Sequence, residues 1–313
     1  MAEPKDAAAA LNHKHDISPK SLRKLLERYR VEDGRKFRLR DYDPQDTAGR
    51  LIDKKDADRL LALGVQRLSD QQEKLYAQDE WSMLCVLQAI DAAGKDGTIK
   101  HVMSGVNPQG VDITSFKAPG PEALGHDFLW RSNAALPARG MIGIFNRSYY
   151  EDVLVVRVHP ELLKSQRLPA EVQSKHIWKE RLESIAAYEL HLARQGTVIL
   201  KFFLHLSKEE QKRRFISRLD QLEKNWKFNS GDLIDRGYWD EYHQHYEETI
   251  KATAAPHAPW YIVPADNKWF TRLIVVAAMH ETLNRLDLKF PEVDPEERKR
   301  MIQARKELEA EKD

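Results

Sequence analysis

With one cysteine, Cys85, the chain has no disulfide framework, and because that residue lies in an apolar run it suits a reducing compartment. No apolar stretch approaches the length needed to span a bilayer. The opening Met1-Ala-Glu-Pro-Lys-Asp6 also lacks the basic-then-apolar order of a leader, so a cytoplasmic protein without a membrane partner is expected. An excess of either charge is missing as well: 50 Lys and Arg face 49 Asp and Glu, a formal net charge of +1. Any polyanion must therefore be met by local basic clusters and not by a globally basic surface. There is no internal repeat, no low-complexity linker and no base-reading pattern, so nucleic acid is not expected as a partner.

What is present is enough chain, 313 residues, for one large α/β domain with helical extensions or for two modest domains, with a sizeable core either way. The organising stretch is Leu84-Cys-Val-Leu-Gln-Ala-Ile-Asp-Ala-Ala-Gly-Lys-Asp-Gly-Thr98, which reads as a buried strand, a turn of small residues and the start of a helix. Ala92, Ala93, Gly94 and Gly97 have little or no side chain, so backbone N–H groups can close around phosphate oxygens while Lys95 adds a point charge. Asp91 is out of place in a mere anion site. A carboxylate repels phosphate unless a metal ion or a transferring proton lies between them, and that points to phosphoryl transfer.

Along the chain, residues 1 to about 20, with His13 and His15 around Lys14, read as a frayed tail in preference to a metal site. Lys36, Arg38 and Arg40 either belong to an arm packed on the surface or flank an anionic substrate. A helix is expected from about 53 to 77, and strands over 81–90, 110–116, 140–146, 197–206 and 260–265. Helices are expected over about 98–104, 122–135, 171–194, from 207, from about 238 and over 269–286. Ser207-Lys-Glu-Glu210 has the capping-box pattern. The charged tail from about 294 reads as a solvated helix. This alternation argues for a parallel sheet of about five strands between helical layers, with ligands beyond the carboxyl ends of the strands. Asn146 to Asp152 should then share a crevice with Asp91 and Lys95.

Compared with G-x-x-x-x-G-K-[ST], Ala89 replaces the first glycine and Asp96 the hydroxyl residue that holds magnesium. Asn146, at the end of its strand, offers a hydrogen bond to metal-bound water but no charge, which moves the electrostatic load to Asp91. Arg147 either pairs with Glu151 one turn on or closes on a transferring phosphoryl group. From Lys212 through Lys227 only Asp220 and Glu223 oppose Lys212, Arg213, Arg214, Arg218, Lys224 and Lys227. That run is too dense for one nucleotide phosphate and resembles a mobile lid. Trp130 and Trp226 are expected in the core.

Asp91-Ala-Ala-Gly-Lys-Asp-Gly-Thr98, Thr114-Ser-Phe-Lys117, His126-Asp-Phe-Leu-Trp-Arg131, Phe145-Asn-Arg-Ser-Tyr-Tyr-Glu-Asp152 and Trp226-Lys-Phe-Asn229 with Asp232 together resemble the polyphosphate kinase 2 family over about residues 30 to 290. The resemblance implies a P-loop kinase-like α/β/α sandwich over 31–290, a lid at about 207–250, a tail over 1–30 and a charged helix over 291–313. It also implies exchange of a phosphoryl group between inorganic polyphosphate and AMP, ADP or ATP, with Mg2+ or Mn2+. By motif, Asp91 would ligate the metal and help orient or deprotonate the acceptor phosphate, Lys95 hold the transferring group, and Arg147, Arg214 and Arg218 clamp charge. Ala92, Ala93, Gly94, Gly97, Thr98, Lys117, Arg131, Lys224 and Lys227 would bind phosphate, and Asp127, Asn146 and Glu151 the nucleotide. Asn146, where many relatives have aspartate, resembles the class III branch, implied to phosphorylate both AMP and ADP. A homo-oligomer, dimer or tetramer, is expected. An ATP-dependent nucleotide kinase and a non-catalytic polyanion-binding module remain as other readings.

Overall fold

The computed structural model describes residues 19–49, 52 and 54–311; most of the expected tail, with His13 and His15, lies outside them. In chain order the elements are α1 (Pro19–Glu27), β1 (Arg30–Val31), α2 (Ala57–Gln78), β2 (Ser82–Gln88), α3 (Lys95–Val102), β3 (Val111–Ser115), α4 (Trp130–Ala134) and β4 (Ile142–Asn146). There follow α5 (Val155–Val158), α6 (Glu161–Ser165), α7 (Ile177–Arg194), β5 (Thr197–His205), α8 (Lys208–Asp220), α9 (Leu222–Asn225) and α10 (Gly231–Gly237). The last are α11 (Trp239–Thr253), β6 (Trp260–Pro264), α12 (Lys268–Asn284) and α13 (Pro295–Ala310).

One sheet runs through the domain in the order β1-β6-β5-β2-β4-β3, and every pairing is parallel except that of β1 with β6. β1 is the strand the sequence reading lacks, because two residues carry no alternation to detect. β2 is buried at all seven positions, as a central strand with helices over both faces must be. One helical layer gathers α1, α2 and α3 around α12, and in a second α5 and α7 each pack against α11. In α1, Leu25 and Leu26 are buried, so the chain joins the core from within the expected tail.

Three expected helices differ in extent. The stretch 122–135 shrinks to a turn at Ala123–Gly125 and α4, since the Asp127 carboxylate accepts the Leu129 N–H and restarts the chain as an Asx turn. α7 begins at Ile177 and not at Glu171, because residues 171–176 have no apolar face to bury and helix nucleation alone does not sustain a turn. The helix after the small-residue loop starts earlier, at Lys95. At α8, Ser207 Oγ accepts the Glu210 N–H, but the Ser207 N–H goes to Asp266 and Glu210 pairs instead with Arg213 and Arg214, so the capping box is half made.

The arm from Lys36 to Arg40 packs by burying Phe37 and Leu39, with Arg38 paired to Asp41. Within 207–250, α8 buries Arg214 and Phe215 and α11 buries Tyr242, Tyr246 and Ile250, while α9 and α10 between them have no buried residue. α13 is exposed along its length. Among the described residues, no helix is long and apolar enough to cross a membrane.

Candidate active site

β2, β3 and β4 end in register, with Leu87 and Ser115 both opposite Asn146. The small-residue loop leaves β2 there and turns with Ala92 at φ +63° and Gly94 at φ +105°. Gly94 is required: a side chain is strained at that φ, whereas Ala92 tolerates the left-handed region at modest cost. Gly97 is open on the cleft side, where an added Cβ meets nothing within 4 Å. Lys95 opens α3, and its ammonium lies inside the loop, 2.9 Å from the Ala89 carbonyl. Burial, then the nearby Arg147, push its pKa down to about 8, while Asp91, Glu151 and Asp96 hold it up.

β4 ends in the second polar cluster. Asn146 Nδ2 donates to Asp96 at 2.6 Å, so the aspartate that replaces the loop's hydroxyl residue is partnered by the asparagine that ends β4. Arg147 takes φ +65°, its N–H held by the Leu87 carbonyl, and its guanidinium bridges Asp91 at 2.7 Å and Glu151 at 2.9 Å. The local pairing and the long-range one are therefore both present. Glu151 and Asp91 keep Arg147 firmly protonated against burial. Asp232 joins from α10, paired with Arg218 at 3.3 Å, and its pKa is raised to about 6 by burial and then by Asp91, with Arg218 opposing.

These elements enclose a cleft of about 640 Å³. Its walls bring together the expected Asp91, Ala92, Ala93, Gly94, Lys95, Gly97, Thr98, Lys117, Asn146, Arg147, Arg214, Arg218, Lys224 and Lys227. They also hold Lys268 and Arg272 of α12, which the sequence reading missed. The available signal was the i, i+4 basic pair opening the helix after the last strand, where helix N-termini converge.

Three expected residues stand elsewhere. Arg131 sits behind Lys117, donating to its carbonyl at 2.6 Å and stacking over Phe116. With Asp127 it lines a separate recess beside Asp152 and Gln166, and Glu151 lines another beyond the Asp91–Arg147 pair. So Asp127, Asn146 and Glu151 do not converge on one nucleotide pocket. Trp226, at the end of α9, is 78 % exposed and not core.

Comparison with known proteins bears on what such a cleft is for. The profile "Polyphosphate kinase 2 (PPK2)" matches residues 51–291. The chain belongs to the polyphosphate kinase 2 family. It is 52% identical over 250 residues to an ADP-polyphosphate phosphotransferase of Rhodopseudomonas palustris, covering 80% of this chain and 86% of that one. It is 44% identical over 278 residues to an AMP/ADP-polyphosphate phosphotransferase of Meiothermus ruber, covering 89% of this chain and 100% of the relative. The crystal structure of polyphosphate kinase 2 from Arthrobacter aurescens TC1 superposes with a TM-score of 0.79 at 40% identity, over 87% of this chain and 95% of that one.

In this polyphosphate kinase 2 domain Arg214 does something other than the expected clamping. It is 8 % exposed, and all five guanidinium N–H directions are engaged: Glu210, the carbonyls of Ala92 and Ala93, and those of Ala265 and Asp266. With the Ala93 carbonyl held on Arg214, the Gly94 N–H of the same trans peptide points the other way. Arg214 thus shapes the loop from behind and ties it to the end of β6. Arg214→Met strands four buried carbonyls and a carboxylate, a loss of about 3 kcal/mol. Thermal unfolding should show Tm lowered by roughly 5–10 °C; an unchanged Tm would remove the strut role.

Proposed function

We propose that this protein transfers a phosphoryl group from inorganic polyphosphate to AMP and to ADP, giving ADP and ATP, as the names of its relatives describe for them. One observation carries the reading: among the described residues, eight basic side chains besides the committed Arg214 line the cleft around the small-residue loop, against Asp91 and Asp96. A single nucleotide needs far fewer. A flexible donor bearing about one charge per phosphate needs a track of this kind, and its binding weakens as salt rises.

In the proposed reaction the donor's terminal phosphate lies against the loop N–H groups and Lys95, with Lys117, Lys224, Lys227, Lys268 and Arg272 along the rest of the chain. Arg147, fixed by Asp91 and Glu151, meets the charge that spreads over the transferring group. The acceptor oxygen already belongs to a phosphate whose second pKa is about 6, so it needs orientation more than a base. Asp91 provides that orientation. Among the described residues no three His, Cys, Asp or Glu gather as a metal cage. A lone carboxylate at a phosphate loop nevertheless fits Mg2+, or Mn2+, which is commonly held by one or two carboxylates plus substrate phosphates and water. Held by Asp91, the ion would supply positive charge that offsets the negative charge of the phosphates.

A matrix of AMP and ADP against polyphosphate and ATP, with Mg2+, tests the reading. Polyphosphate alone should convert AMP to ADP and ATP. Conversion only with ATP as donor would make the protein an ATP-dependent nucleotide kinase, and tight polyphosphate binding without turnover would make it a polyanion-binding module.

A further inference from the structure

Behind Arg147 lies a buried ionic network that the reaction does not use. Tyr149 and Tyr150 follow the φ +65° turn, are fully buried, and both donate to one oxygen of Glu189 on α7, at 2.8 and 2.7 Å. The other Glu189 oxygen accepts from Lys201 of β5 at 2.5 Å. Lys201 spends its remaining protons on the Thr253 carbonyl at 2.7 Å and the Tyr150 hydroxyl at 3.2 Å. Four elements therefore meet at one ion pair: the turn after β4, α7, β5 and α11. Burial and Glu189 raise both tyrosine pKa values well above the usual, so the hydroxyls remain donors.

A buried ion pair is a poor device for stability alone, since well-packed apolar residues of similar volume often do as well or better. It does supply something that apolar residues lack, an acceptor that fixes two tyrosine hydroxyls at one point. Those tyrosines lie two and three residues beyond Arg147, and Glu151, its local partner, follows directly. We infer that the Glu189–Lys201 pair is a positioning device for Arg147, holding the 146–151 turn so that the guanidinium reaches the cleft in one orientation. The inference rests on the proposed role of Arg147 toward the transferred phosphate.

Three variants test it. Tyr149→Phe with Tyr150→Phe removes both hydroxyls and leaves the packing volume. Glu189→Leu with Lys201→Met removes the acceptor as a charge-neutral pair. Glu189→Gln with Lys201→Met removes the charges but keeps a carbonyl oxygen for the tyrosines. The first two should lower kcat at least tenfold with KM for polyphosphate within twofold of wild type, and the third should return kcat to within threefold. Amide exchange across residues 146–153, followed by mass spectrometry, should quicken in the double phenylalanine variant while β2 and β5 stay unchanged. That measurement stands even if the wild-type protein proves inactive with polyphosphate, so the two ideas fail separately. If Glu189→Leu with Lys201→Met does not fold, the double phenylalanine variant decides. Wild-type kcat or unchanged exchange in that variant overturns the inference.

Discussion

Lys95→Ala should lower turnover by about 10²- to 10³-fold with the fold intact, the scale of removing one preorganised charge partner of a transition state. No neighbour substitutes for it. The Arg147 guanidinium is held by Asp91 and Glu151, and Arg214 by the loop carbonyls, so among the described residues only Lys95 places a point charge inside the loop. Its depressed pKa adds a signature. With the ammonium titrating at about 8 because burial opposes the charge, kcat/KM for polyphosphate should fall as pH rises through 8. Stability runs the opposite way. The folded protein binds fewer protons than the unfolded chain between about 8 and the ordinary 10.5, so the Lys95 contribution to stability rises with pH across that window. Rates of ATP formation from pH 6 to 10, with circular dichroism on the same samples, measure both. A Lys95→Ala rate within threefold of wild type removes this residue from the chemistry.

Asp91→Asn is the second large effect, again about 10²- to 10³-fold in kcat. The substitution preserves size and leaves an oxygen to accept from Arg147, now 2.7 Å from the carboxylate. It therefore separates two tasks. If Asp91 served only to hold Arg147, kcat would change little. If it carries the metal and orients the acceptor, kcat falls and the Mg2+ concentration for half-maximal rate rises at least tenfold. The variant should also move the alkaline limb to lower pH, because the Asp91 charge helps to keep Lys95 protonated. A normal rate and metal dependence would assign Asp91 to structure.

Much of this was readable residue by residue, and the exceptions have a common cause. The apolar runs that became β2, β4, β5 and β6 were visible because a strand covered on both faces leaves a continuous signal. The small-residue loop after β2 was visible because small residues suit a backbone that takes positive φ, as at Ala92 and Gly94. The direction of a long side chain is a different matter. Arg214 and Arg218 stand one turn apart in the same basic run, yet one is sealed against loop carbonyls more than 120 positions earlier and the other faces the cleft beside Asp232.

The sequence by itself determined that a strand ends in a small-residue loop carrying Asp91 and Lys95, that Asn146 and Arg147 end another apolar strand, and that a basic insert follows. Each of those rests on local backbone tolerance and on apolar periodicity. Only the tertiary structure decided that Asn146 answers Asp96, that Arg131 stands behind Lys117, that α12 lends Lys268 and Arg272, and that Glu189 and Lys201 lie beneath Arg147. Those outcomes depend on pairings between elements distant in the chain, where burial forces each polar group to find a partner that no local pattern names.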